Sequence, residues 1–536
     1  MIAFEITIVL LLGAVLALAF SHKLRQPIEV ILLLGSLLIS FLPLPRVQLE
    51  PNVVFSIFLP PILFAAAYFT PWKEFLKNLR PIVLLAFGLV IMTTVGIAHA
   101  VRFLIPDFPW PQAYLLGAIL APPDASAAVA LVRQFRLPRR LITVIEGESL
   151  INDATALTCY RFALAALATS SFELSQAAPQ FLAVSIGGAL VGMAIGHLAI
   201  RLLRSLKHTD AEVLTTILTP FFCYSIAEHL HVSGVLSTVA CGILFGSVLP
   251  GSSTSQARIA AKSTWDIFLF AINALVFTFI GLQLPLIVET ISTAHLYQLC
   301  GYGVVLYLVL VAIRFAWVFP AAYIPRLLSP ALRARDPIPS WQVLTVLSWT
   351  GMRGIVSLAG ALAIPVTMSD GTLTAFRNET IFLGYVVTLL SLLIPSFTLP
   401  WLLRQMHIPV VDERQRDESF ARLAMIEAVI KHLENWPTPG RFRKVAIDQF
   451  LQSYRQLHST LRPNLDAQPY TELDLQNEDT KAFIAGLLHI EREALTRLRK
   501  SGEIHDEVFH HLAQELDFEE LRLLTSARGN LLLSAG

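Results

Sequence analysis

Cysteine is scarce in this chain and nowhere paired in sequence. The four present, Cys159, Cys223, Cys241 and Cys300, stand singly inside apolar blocks and form no CxxC. That excludes a disulfide framework and a cysteine-built zinc site, and leaves small packing residues. Charge is short as well. Asp, Glu, Lys and Arg make up 15% of the 536 residues, too few to clothe a soluble protein of this length. The formal net charge is +1, and no basic patch is interleaved with aromatics, so nothing points to nucleic acid. There is neither a G-x-x-x-x-G-K-[ST] loop for nucleotide phosphates nor an H-E-x-x-H pair for zinc. A self-contained ATP-driven pump and a zinc protease fall away. The apolar run near the N-terminus lacks basic residues before it and a small-residue cleavage site after it. Its charges, Lys23 and Arg25, follow, so it reads as a retained first helix and not as a signal peptide.

Apolar sequence is what the chain has in abundance: 55% of residues are hydrophobic and the mean hydropathy is +0.63. Blocks long enough for a bilayer core of roughly 30 Å recur up to about residue 404. We read thirteen segments, at about 2–20, 28–43, 53–70, 81–105, 112–132, 140–170, 178–200, 211–229, 232–249, 264–289, 296–323, 341–366 and 378–403. The fold class is an all-α polytopic membrane protein. Basic residues gather in alternate loops: Lys73, Lys77 and Arg80 after segment 3, Arg133, Arg136, Arg139 and Arg140 after segment 5, Arg326, Arg333 and Arg335 after segment 11. The intervening loops hold only Arg46, Arg102 and Arg377. By the positive-inside rule the N-terminus lies outside and the C-terminus in the cytoplasm.

Beyond Arg404 the composition changes to amphipathic stretches with apolar residues three and four apart, separated by Pro437, Pro439, Pro463 and Pro469. The expected organisation is a membrane domain over 1–404 and a cytosolic domain of about four helices over 405–536. His505, His510 and His511 lack metal-ligand spacing and read as a solvated helix face.

Segment 6 carries "EGESLINDATAL", acids where a bilayer makes them expensive. Glu148, Ser149, Asn152 and Asp153 share one face of that helix, an oxygen-rich stripe suited to a hard cation. A packed polar seam would need only the serine and the amide. Segment 5 reads "LLGAILAPPDASAAVALV". Pro122 and Pro123 break it and release the carbonyls of Ala118 and Ile119, and Asp124 stands at the break. Segment 12, "VLSWTGMRGIVSLAGALAI", is expected to be interrupted where Gly351 and Gly354 flank Arg353. A buried guanidinium needs an acid, for which Glu148 is the first candidate; pairing with Asp124 and a channel-lining role are the alternatives. Segments 5 and 12 cross in opposite directions, as in two inverted six-helix repeats, 1–6 and 8–13.

"GESLINDATAL" and "GMRGIVSLAGAL" together resemble signatures of the electroneutral cation/proton antiporters, the NhaP-type and sodium/proton exchanger family, with a likeness running from residue 1 to about 404. The resemblance implies a dimerisation domain and a moving core, hence a homodimer in the cell (inner) membrane working by elevator-like alternation in pH and sodium homeostasis. It implies that Asp153 binds the cation or proton, that Asn152 and Ser149 support it, and that Glu148 pairs with Arg353. The candidate cation and proton site is thus Asp153, Asp124, Asn152, Ser149 and Pro123, with no cofactor. Many relatives have Thr-Asp-Pro at the first broken helix. Here Pro123-Asp124-Ala125 stands instead, without the threonine hydroxyl.

One carboxylate that a proton or a cation can neutralise, but not both together, gives obligatory exchange of Na⁺, K⁺ or Li⁺ for H⁺. A cation channel lined by the same acids is the second reading, and it lacks a continuous filter. An intramembrane protease is the third. No histidine in the neighbouring membrane stretches would activate Ser149.

Overall fold

A computed structural model of the chain describes residues 13, 15–18, 21, 23, 28–41, 50, 53–70, 72–124, 128–129, 132, 135, 137–169, 174–206, 208–248, 255–289, 291–367, 376–406, 413–435, 447, 450–456 and 478–533. Most of the first expected segment lies outside them, as do Ala125 and the proline-bearing stretches 436–446 and 457–477. All the regular elements described are helical. The chain divides into two compact units: one of residues 1–207, 214–249 and 264–410, the other of 208–213, 250–263 and 411–536.

The first unit holds α1 (Ile28–Ile39), α2 (Val54–Phe69), α3 (Leu79–Leu104), α4 (Trp110–Leu120), α5 (Arg139–Thr169) and α6 (Leu174–Leu206). It continues with α7 (Thr209–His229) and α9 (Ser255–Leu282), whose first residues up to 213 and 263 belong to the second unit, and with α8 (Gly234–Val248), α10 (Thr293–Leu328), α11 (Trp341–Trp349), α12 (Ile355–Leu362) and α13 (Arg377–Met406). Among the described residues, five stretches are long and apolar enough to cross a membrane: Leu79–Leu104, Leu182–Ser205, Gln256–Val288, His295–Leu328 and Arg377–Met406. Ile28–Ile39, Val54–Phe69 and Gly234–Val248 are apolar but shorter. Helix α5 is long enough but carries the acidic stripe, and α4, α11 and α12 are pieces of interrupted helices.

Helix α4 sits at the centre. Gln112, Ala113 and every residue from Leu115 to Leu120 are buried, as suits a helix apolar on all sides. It lies so close to α3 that a Cβ on Gly117 would meet the Thr94 carbonyl. Leu115, Leu116 and Ile119 share one core with Leu358 and Ala361 of α12 and Tyr385 and Val387 of α13. In α3 the residues Leu84–Leu89 form a wider π-helical turn, and the Leu84 carbonyl accepts a hydrogen bond from Trp317 Nε1 of α10 at 3.0 Å.

The second unit contains α14 (Glu413–Glu434), α15 (Glu478–Ser501) and α16 (Asp506–Leu533), with a helical stretch over 450–456. Ala421, Met425, Val429 and Leu433 recur every fourth residue of α14 and pack with Tyr454, Leu487, Leu495 and Leu512. Asp517 is buried in this unit. It accepts hydrogen bonds from Arg492 Nη2 at 2.7 Å and Arg258 Nε at 2.9 Å. His505 and His511 are partly exposed and each lies beside acids. His505 pairs with Asp417, and His511 Nδ1 lies 3.8 Å from Glu418 and 3.7 Å from Glu515. Those three ligand atoms are grouped as a metal site would need, but Arg422 Nη2 donates to both carboxylates at 2.9 Å. The guanidinium bridges the two carboxylates and already supplies them with a positive charge.

Candidate functional site

The site forms where two interrupted helices meet. Helix α4 stops at Leu120 and the chain is non-helical over 121–124, since neither Pro122 nor Pro123 has an N–H to continue the ladder. Between α11 and α12 the chain is non-helical over 351–354. The two breaks are stitched together: the Asp124 N–H donates to the Met352 carbonyl at 2.7 Å.

Each break supplies what the other's helix ends need. The guanidinium of Arg353, from the second break, donates through Nε to the Leu120 carbonyl at 2.9 Å and through Nη2 to the Ala121 carbonyl at 3.4 Å. It also bonds the Gly351 carbonyl, while the Arg353 N–H donates to Ser391 Oγ at 3.0 Å. A cation thereby occupies the negative end of α4. Reciprocally, the Asp124 carboxylate lies against Gly354, the residue that opens α12, placing an anion at the positive end of that helix. A Cβ on Gly354 would overlap that carboxylate. Glycine is needed there for space and not for conformation, because φ is −116°. The far end of α12 is held the same way: Arg377 donates to the carbonyls of Ile364 at 2.7 Å and Leu362 at 3.2 Å.

Helix α5 brings the acidic stripe to this crossing. Asn152 is fully buried, and its Nδ2 donates to the Pro123 carbonyl at 2.9 Å. That bond turns Oδ1 the other way, buried and with no hydrogen-bond partner among the described residues. Asp153 is half-buried and within electrostatic reach of Asp124. Ser149 is half-buried one turn earlier on the same helix face. The structure thus gathers Asp124, Asp153, Asn152 and the Pro123 backbone at one place. Pro123 takes part through its carbonyl, already engaged by Asn152.

The partner of Glu148 differs from the expectation. Its carboxylate is held by Arg314 of α10, Nη1 to Oε1 at 2.6 Å and Nη2 to Oε2 at 2.8 Å, with both side chains at most 2% exposed. Arg353 is not its partner, and the reason lies in the backbone. Arg353 stands at a break, where freed carbonyls take up its N–H groups. Arg314 stands mid-helix, where the carbonyls of its own helix are already bonded, so most of its donors need a carboxylate. Its Nε also reaches the Leu347 carbonyl at 3.2 Å, tying α5, α10 and α11 together.

Two functional candidates were legible but missed. Arg314 is a charge in the middle of an apolar span, which the cost of burial alone should flag. Glu29, near the start of α1, is within electrostatic reach of Asp124, and its Oε2 is buried without a hydrogen-bond partner among the described residues.

Crossed interrupted helices with two carboxylates near the crossing, among apolar helices, are the arrangement in which membrane carriers bind small cations. The comparisons name the family. The model of the sodium/hydrogen exchanger transmembrane family matches residues 8–405, and the chain belongs to that family. It is 33% identical over 503 residues to an uncharacterized Na⁺/H⁺ exchanger of Escherichia coli (strain K12), covering 89% of this chain and 90% of that one. It is also 33% identical over 509 residues to the sodium, potassium, lithium and rubidium/H⁺ antiporter of Bacillus subtilis (strain 168), covering 92% of this chain and 73% of that protein. The fold is similar to the sodium proton antiporter MjNhaP1 from Methanocaldococcus jannaschii, with a TM-score of 0.57 and 17% identity over 76% of this chain and 99% of that one. These relatives are named as exchangers and antiporters, and the family to which the chain belongs is one of membrane transport.

Proposed function

We propose that this protein is a secondary antiporter that exchanges Na⁺ for H⁺, one for one, at the crossing of α4, α11, α12 and α5. The observation that carries this reading is the Asn152 amide. Its nitrogen is fixed on the carbonyl of Pro123, the neighbour of Asp124, leaving Oδ1 buried and without a hydrogen-bond partner among the described residues, one residue before Asp153. A buried lone oxygen is unfavourable until something positive meets it. Asp153 is the exchanging carboxylate, Asn152 Oδ1 and Ser149 are neutral oxygen ligands, and Asp124 is the fixed charge held at the start of α12.

The exchange follows from electrostatics. With a proton or a cation on Asp153 the site carries the same charge, so either loaded form crosses the barrier; the empty form has one more buried anion and does not. Asn152 cannot take a proton, which leaves one titrating position and an electroneutral cycle. In our reading the membrane part comprises thirteen spans in two inverted repeats, moves as an elevator against a dimerisation domain, and assembles as a homodimer with its C-terminal, regulatory part in the cytoplasm. Paired basic-rich loops and the oppositely directed breaks support that arrangement.

A second reading is K⁺/H⁺ exchange, favoured by the Bacillus subtilis relative, whose name includes sodium, potassium, lithium and rubidium. Proteoliposomes with an internal pH dye, challenged with each alkali cation in turn, separate the two. Asp153→Asn should abolish cation-dependent proton flux while the protein stays folded. Near wild-type flux in that variant removes Asp153 from the site. A rate that changes when the membrane potential is reversed with K⁺ and valinomycin, Na⁺ being the transported ion, rules out one-for-one exchange.

A further inference from the structure

A cavity of about 240 Å³ opens away from the transport site. The starts of α3, α5 and α11 and the end of α10 enclose it, with walls of Leu84, Val144, Val318, Ala321 and Val343. Around it three guanidiniums converge on one carboxylate. Arg140 Nη1 lies 2.7 Å from Asp336 Oδ1; Arg326 Nη2 lies 2.7 Å and Arg80 Nη2 3.7 Å from Asp336 Oδ2. Three positive charges against one negative leave an excess of two.

The donors are unevenly used. All three nitrogens of Arg326 are engaged, with further bonds to the Asp336 carbonyl at 3.1 Å and the Ala322 carbonyl at 2.5 Å. Arg140 Nε is spent on Asn78 Oδ1 at 3.0 Å. Arg80 has only the long ion pair, and its Nε and Nη1 are buried without a hydrogen-bond partner among the described residues. Buried guanidinium donors in an apolar wall are unfavourable unless an acceptor reaches them.

We propose that this crevice binds one anionic phospholipid, its phosphate on Arg80 and Arg140 and part of an acyl chain in the cavity. A free anion would satisfy the guanidiniums and leave the apolar walls unfilled. A zwitterionic lipid would fill the walls but brings its own cation against the excess positive charge. Only an amphiphile with a net negative head matches both halves, and the basic loops that carry Arg80, Arg140 and Arg326 face the leaflet that supplies it. The bound lipid braces the ends of α5, which bears Asp153, and of α11, which leads into the Arg353 break. The proposal needs only that these helices lie in a membrane, and is independent of which ion is carried.

The test uses the full chain, purified in detergent and stripped of lipid, with phosphatidylglycerol and phosphatidylcholine titrated in parallel and bound lipid counted by native mass spectrometry. One phosphatidylglycerol should be retained at least about tenfold more tightly than phosphatidylcholine, the scale of one charge-assisted hydrogen bond. Arg80→Gln, which breaks nothing but the long ion pair, should erase about tenfold of that preference. Ala321→Phe, which fills the cavity and keeps every charge, should abolish the tight site. Excess inorganic phosphate should leave the lipid bound. Equal retention of the two lipids overturns the proposal, as does either variant behaving like wild type. Displacement by phosphate alone makes this a free-anion site and overturns it too.

Discussion

Glu148 and Arg314 offer the sharpest test of how this membrane core is held together. Both side chains are almost wholly buried, and two parallel hydrogen bonds of 2.6 and 2.8 Å join them. Glu148→Gln keeps the shape and strands the Arg314 guanidinium; Arg314→Met strands the carboxylate. Each single change should destabilise by about 3–5 kcal/mol, the usual result of leaving one buried charge unmatched. The double variant removes both charges together and should lose far less than the sum. The expected coupling is at least about 2 kcal/mol, at the upper end for residues in contact. The control cycle replaces Arg314 by Arg353. Arg353 spends its donors on the Leu120, Ala121 and Gly351 carbonyls, so its coupling to Glu148 should stay below about 1 kcal/mol. Reversible unfolding in mixed detergent and dodecyl sulfate micelles supplies the free energies. Coupling to Arg353 equal to or larger than coupling to Arg314 would refute the argument that free carbonyls at a helix break can substitute for an acid.

Gly354→Ala should abolish exchange and destabilise by about 1–3 kcal/mol, because the new methyl displaces the Asp124 carboxylate from the start of α12; flux and unfolding measured together check both parts. Glu29→Gln should weaken cation affinity by about threefold to tenfold with little change in stability, since it removes a charge felt at Asp124. An unchanged apparent KM for the cation removes Glu29 from the path. In the second unit, burial pushes Glu491 up to about 7, against the Tyr454 hydroxyl bond at 3.0 Å and with help from Glu519. A raised carboxylate favours the neutral form in the fold, so its stabilising effect is full below about 4.5 and is lost as pH rises through about 7. The loss amounts to about 3 kcal/mol at roughly 1.4 kcal/mol per pH unit. Hydrogen exchange of residues 478–501 in the full chain should therefore quicken, beyond its intrinsic pH dependence, between pH about 4.5 and about 7. Glu491→Gln should flatten that trend.

The breaks at Pro122–Pro123 and around Arg353 were written in the sequence, because a missing N–H and a charge in an apolar run act locally wherever the chain goes. So was the stripe of Ser149, Asn152 and Asp153, which needs only the helical repeat to share a face. The carboxylate at Asp124 could be assigned to a break for the same reason. What sequence could not supply was who answers whom. Glu148 and Arg314 are 166 residues apart. Arg353 and Arg314 look equally needy on paper, and only the tertiary structure shows that one is met by three backbone carbonyls and the other chiefly by the Glu148 carboxylate. The same holds for Asn152, whose two amide atoms are equivalent in a motif until Pro123 claims the nitrogen. It holds for Arg80, Arg140 and Arg326, which the sequence shows as basic loop residues and packing turns on a single aspartate. Local rules of hydrogen bonding and charge cost fix which residues must find partners. The choice among partners depends on which groups long-range packing brings within about 3 Å, a distance no sequence pattern carries.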